Sequence, residues 1–540
     1  MSRGLVAAAF STMEGEGDVM NIGWREHPKR WSILFIAVCC IGAGVWLILN
    51  GNEQSVPPSV VEKQRTAEVW LTTGNQQNLL TPQKPIPVTE HDDTDTSSSV
   101  SSTQESGTSW SEFTIQIDPD KTYQTMDGFG AAMTGSSAHL INQLSEEQQE
   151  QLLKELFTME GLNMDMVRHT IGASDYSVDE SGLASSYTYD DIESGTDYDM
   201  EHFSIDKDQE VVNMLERVTW LKPDLKVLGT PWTAPAWMKY GEKTTNGWYL
   251  NYNDPRVYEA YASYFVKYIK SYQAKGIPIY GITLQNEPEF TSDKYPSMSM
   301  GAEEQAMFIR DYLGPALQDA GLDTRIIAYD HNWDQAFEYT SKVLGDEQTA
   351  SYIDGSAFHC YAGDPSAMSE VHKRFPDKHI YFTECSGGEW SPDFGENLSW
   401  QMSNLIIGAP RNWAKNVLLW NIALDPQGGP TNGGCENCRG IVTIDLDSDE
   451  ITRNVEYYAL GHISRYVRPG AVRVDSTHEQ GQIENVAFRN PDATMVMVAA
   501  NTGGAEVSFD VVMDGDSFRY VLPSQSAATF RWKPKTVGVL

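Results

Sequence analysis

Between Gly128 and Trp420 one pattern recurs eight times: an apolar run of five to eight residues that stops abruptly in polar or aromatic side chains. The runs are Gly128–Met133, Met164–Ile171, Leu225–Thr230, Ile279–Leu284, Thr324–Tyr329, Gly355–His359, His379–Thr383 and Asn416–Trp420. Their β-branched and apolar content reads as buried strands, and helical patterns such as Ser145–Phe157, Pro255–Gln273 and Glu303–Ala320 fall between them. Pro288 shows how sharply a run can end, because it has no N–H to give a ladder and fixes φ. Strand–helix alternation repeated eight times predicts an α/β chain with a (β/α)8 TIM barrel, here placed at residues 127–458.

The flanks read differently. After Ala459, short runs such as Glu484–Arg489, Thr494–Ala499 and Ala527–Trp532 follow at close spacing, which predicts an antiparallel β-sandwich over 459–540. Phe113–Asp118 alternates as a strand should, so residues 112–126 are expected to supply the first strand or strands of that sandwich. At the other end, Trp31–Leu49 carries no charge, is long enough to span a bilayer as a helix, and follows Arg25, Lys29 and Arg30. We expect residues 1–30 to be a cytoplasmic tail and 31–49 a transmembrane signal anchor, giving a single-pass type II protein with its folded part extracellular or lumenal. Secretion after signal cleavage is the rival, but the apolar run starts late and lacks an A-x-A-like site. Residues 50–111, rich in Ser, Thr, Gln, Pro and acid, read as a disordered stalk.

Charge excludes some partners. With 39 basic and 75 acidic residues the net charge is −36, which repels nucleic acid and anionic headgroups alike. The six cysteines fall into three pairs by position: Cys39 with Cys40, Cys360 with Cys385, and Cys435 with Cys438. The last pair forms a lone CxxC in a Gly-rich loop; in an exported chain a loop disulfide is expected rather than a zinc site. One weak sequon begins at Asn397.

Two carboxyls carry the chemistry. Glu287 ends the fourth run and Glu384 the seventh, positions that face each other across the mouth of an eight-stranded barrel. Paired carboxyls about 5 Å apart suit a retaining glycosidase, one attacking the anomeric carbon and the other protonating the leaving oxygen. Their environments must then push the two pKa values apart. No His stands in ligand spacing to either along the sequence, so no metal is expected. A structural ion pair across the barrel top is the bland alternative.

The motifs GFGAAMT (Gly128–Thr134), RHTIGASDYS (Arg168–Ser177), TPWTAPAWMK (Thr230–Lys239), LQNEPE (Leu284–Glu289), FHCY (Phe358–Tyr361), FTECSGG (Phe382–Gly388) and WNIALDPQGGP (Trp420–Pro430) together resemble glycoside hydrolase family 30, the glucosylceramidase family. The resemblance implies Glu384 as nucleophile, Glu287 as acid/base, and Asn286 as a hydrogen-bond partner of the sugar 2-hydroxyl. It further implies that Asp175, Trp232 and Trp420 hold the terminal sugar, that Tyr361 stands beside the nucleophile, and that Arg168 is a buried support of the acidic cluster. Trp237 is as compatible with packing as with sugar binding, and His359 reads as a satisfied core histidine. Gly135, the pair His169-Thr170 and the loop Thr431–Arg439 depart from the family pattern. That loop resembles members acting on β-1,6-glucans as well as some microbial glucosylceramidases.

The resulting expectation is a cofactor-free, membrane-anchored retaining β-glucosidase acting on glucosylceramide-type glycolipid. An endo-β-1,6-glucanase is the near alternative, and a sugar-binding membrane protein without activity the distant one. No activator protein is implied.

Overall fold

The first barrel strand is poor in side-chain bulk for a packing reason: a Cβ on Gly130 would collide with the Met166 carbonyl of the next strand. In the computed structural model, which describes residues 64–90, 113–478 and 483–535, eight parallel strands form one sheet. In chain order they are Gly128–Met133, Met166–Thr170, Lys226–Thr230, Ile279–Thr283, Arg325–Asn332, Ile353–His359, His379–Glu384 and Asn416–Asn421. Strands one to seven pair each with the next, and strand eight pairs with strand one.

Strands seven and eight close the ring through a side chain. The Asn416 amide accepts from the Phe382 N–H at 3.0 Å and donates to the Phe382 carbonyl at 3.1 Å, reproducing the two bonds of a ladder. Met166, Leu228, Ile327, Ala357, Tyr381 and Leu418 point into the barrel and fill it.

Helices cover the outside. Glu146–Phe157 starts at a capping box, Ser145 with Gln148. Pro255–Ala274 buries Tyr258, Tyr261, Tyr264, Tyr268 and Tyr272 at helical spacing. Tyr187, Tyr189 and Tyr272 all donate to the buried carboxylate of Asp208. His169, one of the departures from the family pattern, is buried 3.5 Å from that carboxylate, and burial pushes its pKa down to about 3. The substitution is thus absorbed by a polar network behind the barrel wall.

The sandwich differs from expectation in two places. Residues 66–73 lie inside the segment expected to be a disordered stalk, yet they form a strand (Thr66–Thr73) paired antiparallel with Ser526–Trp532. Ala67, Val69 and Leu71 alternate inward and are buried in the sandwich core. The Ser/Thr/Pro-rich flanks masked this alternation when composition was averaged over the whole stretch. The expected boundary at 458 also cuts through the helix Val455–Ser464. His462 in that helix bonds Thr529 and Thr72, each at 2.9 Å, so it seats barrel helix and sandwich strands together. The sandwich strands resume at Val472. As expected, Phe113–Thr125 belongs to this sheet, although it pairs parallel with Val507–Met513 on one side.

The tail at 1–30 and the anchor at 31–49 lie outside the described residues, as do most of the remaining stalk positions. Among the described residues no helix is long and apolar enough to cross a membrane.

Candidate active site

The site is built at the C-terminal tips of the barrel strands around Arg168. This guanidinium, on strand two, is fully buried. It donates to Glu384 Oε2, to Asn286 Oδ1 at 2.8 Å and to Asp330 Oδ2 at 2.9 Å. Its flat faces lie 5.1 Å from the Trp232 ring and 5.4 Å from the Trp420 ring. One side chain thereby ties together strands two, four, five and seven and the aromatic wall.

Past strand four the backbone turns sharply: Glu287 has φ +46°. Such a left-handed carboxylic residue must be held in place by its surroundings. Here the Asn286 N–H donates to the Pro231 carbonyl at 2.8 Å and the Glu287 N–H to the Asp330 carbonyl at 2.9 Å. Strand five carries its own irregularity, a register shift with Tyr329 and Asp330 at φ +73° and +77°. The Asp330 carboxylate accepts from Arg168, from His359 Nε2 at 3.1 Å, from Thr283 at 2.7 Å and from Thr383 at 2.6 Å. Burial works against its charge, but Arg168 and His359 outweigh burial and hold it well below the usual carboxylate range.

The two predicted carboxyls line one cavity of about 280 Å³ together with Asp175, Trp232, Asn286, Tyr361 and Trp420. Their surroundings differ. Glu384 is 5% exposed and accepts from Tyr361 Oη at 2.8 Å on Oε1, opposite the Arg168 bond on Oε2. Glu287 faces two imidazoles, His359 Nδ1 at 3.2 Å and His331 Nδ1 at 3.6 Å. Burial raises its pKa, but the hydrogen bonds and charges of His331 and His359 win and bring it to about 2. His359 is raised to about 9: burial lowers it, but Glu384, Asp330 and Glu287 outweigh burial. The His359–Glu287 pair therefore keeps a proton between its two members.

Asp175 reaches the cavity from the loop after strand two. Burial and then the charges of Glu384 and Glu287 push its carboxyl well above the usual range, and its Oδ1 has no partner among the described residues. Trp232 and Trp420 stack at 5.2 Å, with Tyr176 edge-on to Trp420.

Two disulfides frame the strand that carries Glu384. Cys435 is bonded to Cys438, in the loop that the sequence singled out. The segment Cys438–Arg439 pairs with Gly387–Gly388, just beyond Glu384, where a Cβ on Gly387 would collide with Glu456. The Cys435 carbonyl accepts from Tyr176 Oη at 2.8 Å, and both cysteines pack against the cluster of Tyr176, Trp232 and Trp420. The second bond, Cys360–Cys385, joins the tips of strands six and seven. Sequence reasoning grouped these two cysteines by position but expected a disulfide only at Cys435 and Cys438; the adjacency of strands six and seven brings Cys360 and Cys385 together.

Other expectations are placed as follows. Trp237 stays outside the cavity, its Nε1 donating to Asp190 Oδ2 at 2.9 Å, so it packs. Asn397 is 5% exposed with its Nδ2 donating to the Ser391 carbonyl at 3.1 Å, which leaves the sequon nitrogen engaged rather than offered to a glycan. His359 is a buried and satisfied histidine, yet one of its partners is Glu287. Asp330 and His331 were legible only as the end of strand five, and Phe290 and Tyr295, which also line the cavity, gave no periodic signal. The exclusion of a metal on ligand spacing does not carry over from the sequence: the donor atoms of Glu287, His331 and His359 lie within 4.8 Å of one another, a set able to hold a cation.

Comparison with known proteins agrees with this architecture. The glycosyl hydrolase family 30 TIM-barrel domain matches residues 126–467 and the family's beta sandwich domain residues 470–530. Endo-1,6-beta-D-glucanase neg1 of Aspergillus fumigatus is 38% identical over 79% of this chain and 90% of its own. The solved endo-beta1,6-glucanase BT3312 superposes with a TM-score of 0.75 at 32% identity, covering 87% of this chain and 100% of that one. Lysosomal acid glucosylceramidase of Mus musculus is 27% identical over 78% of this chain and 82% of its own.

Proposed function

Because the chain belongs to glycosyl hydrolase family 30, a family of glycoside hydrolases, we propose that it is a retaining endo-β-1,6-glucanase. This reverses the order of the two substrates expected from the sequence, where glucosylceramide stood first. The higher identity to glucanases than to the mouse glucosylceramidase supports the reversal. The observation that carries the reaction type is the placing of Glu287 and Glu384 in one cavity with opposite surroundings, one under imidazoles and one between Arg168 and Tyr361.

In this reading Glu384 attacks the anomeric carbon, oriented by its two donors. His359 passes the pair's proton across 3.2 Å to Glu287, which hands it to the leaving oxygen as the glycosidic bond breaks. Glu287, ionised again, then activates the water that releases the sugar. Asn286 gives its carbonyl oxygen to Arg168, so its NH2 group is the donor left for the 2-hydroxyl. Asp175, whose carboxyl burial pushes well above the usual range, and the Trp232–Trp420 wall hold the terminal ring. We extend the proposal to location: the catalytic part works outside the cytosol, which the two disulfides support, with residues 31–49 as its anchor.

The test incubates the chain with β-1,6-glucan and, separately, with glucosylceramide in detergent, against a Glu384→Gln control. Oligosaccharides released from the glucan alone support the proposal. Glucose from the lipid alone returns the protein to the glucosylceramidase reading.

A further inference from the structure

A second cavity, about 500 Å³ against 280 Å³ for the catalytic one, lies beside the Cys360–Cys385 disulfide. Tyr361 lines both. The ring that bonds Glu384 is therefore also a wall of the larger space, and 45% of Tyr361 remains exposed.

The lining of this cavity is unusual for a packing defect. Two indoles face it, Trp390 at 55% and Trp400 at 44% exposure. Trp390 comes from the loop after strand seven, and Trp400 from the helix Phe394–Gln401 that follows. Next to them are two buried amides, Asn397 at 5% and Gln401 at 2%. Gln401 Nε2 donates to Asn397 Oδ1 at 3.0 Å, while Gln401 Oε1 is buried without a partner among the described residues. A buried acceptor left unpaired costs free energy unless something supplies a donor. Solvated indoles around a concave pocket with an open amide oxygen are poorly suited to an acyl chain, which would leave Gln401 Oε1 unmet. They suit a sugar, whose C–H faces lie on aromatic rings and whose hydroxyls can donate to that oxygen. The volume falls within the ~300–1,000 Å³ of pockets that take small ligands.

We propose that this cavity binds glucosyl units of the same β-glucan chain, beyond the bond that is cut, so that the chain runs past Tyr361 from the Glu287/Glu384 pocket to Trp390 and Trp400. The proposal deepens the glucanase reading and rests on it: a polymer needs purchase on either side of the scissile bond, and Tyr361 is the side chain common to both cavities.

The test uses the full chain and the variants Trp390→Ala and Trp400→Ala, both at exposed positions that folding tolerates, with thermal melts as the folding check. A β-1,6-linked glucohexaose is titrated calorimetrically onto each in a Glu384→Gln background. Turnover of the hexaose and of 4-nitrophenyl β-glucoside is measured with Glu384 intact. We expect hexaose affinity and kcat/KM to fall about tenfold or more in each variant, with aryl glucoside turnover unchanged. Equal hexaose affinity in variant and parent overturns the proposal, as does an equal loss on both substrates. If the parent cuts glucan and the tryptophans are indifferent, only the second cavity is misread. If the parent neither binds nor cuts the hexaose, the glucanase reading falls with it.

Discussion

His359 Nδ1 lies 3.2 Å from Glu287 Oε1, while the other nitrogen of the same ring lies 3.1 Å from Asp330. The imidazole thus joins the Glu287 carboxyl to the buried ion network of Arg168, Asp330 and Glu384.

That relationship sets the pH dependence. With Glu287 held at about 2 and His359 at about 9, the proton shared by the pair is lost only above about pH 9. We expect kcat/KM to have a broad plateau whose alkaline limb reports the pair. In His359→Asn the pair's proton can sit only on the Glu287 carboxyl, which releases it well below pH 9, so the alkaline limb should move down by about one unit or more. An unmoved profile would show that His359 does not govern Glu287. Stability follows the same sign: the His359 pKa rises on folding from 6.5 to about 9, so the stabilisation is complete below pH 6.5 and is lost as pH rises through 9. Urea titrations at pH 6 and pH 10 measure it.

Glu384→Gln removes the proposed nucleophile with little change of volume, and Arg168 keeps Asp330 and Asn286 as partners. Turnover should fall on the order of 10⁴-fold or more with the melting transition retained. Residual turnover near the parent's level would move the nucleophile elsewhere.

Arg168→Met leaves Glu384 in a buried site without its cation and Asp330 with His359 alone. Breaking a buried network from one side costs about 3–5 kcal/mol. Denaturant unfolding should show a loss of that order, and a stability equal to the parent's would mean the network is not held as described.

A fragment starting near Ser111 lacks the strand Thr66–Thr73 and bares Ser526–Trp532 as a sheet edge. Burial of Val69 and Leu71 alone contributes about 3 kcal/mol or more. We expect the fragment from Gln64 to be monomeric and active, and the fragment from Ser111 to be less stable or to aggregate. Size-exclusion profiles and melting temperatures of the two decide this.

Mass spectrometry of non-reduced peptides should find Cys435 linked to Cys438 and Cys360 linked to Cys385. Free thiols at either pair would remove the corresponding brace of the strand that carries Glu384.

Much of the architecture was readable in one dimension because barrel strands are buried on both faces and so appear as uninterrupted apolar runs. The abrupt polar endings of those runs located Glu287, Glu384, Tyr361 and Trp420. The strand Thr66–Thr73 escaped because only one of its faces is apolar and its flanks are rich in Ser, Thr and Pro. The helix Val455–Ser464 escaped as a boundary because it serves two layers at once, His462 reaching Thr72 and Thr529.

By itself the sequence determined the barrel, the presence of a β-sandwich, and the two carboxyls at opposite strand tips, since each follows from local periodicity and strand order. Tertiary structure alone decided what surrounds those carboxyls. The His331–His359 cover on Glu287, the Cys360–Cys385 bond and the four-way hold on Asp330 join residues from different strands. Their meeting depends on the register and closure of the barrel, which no local pattern records.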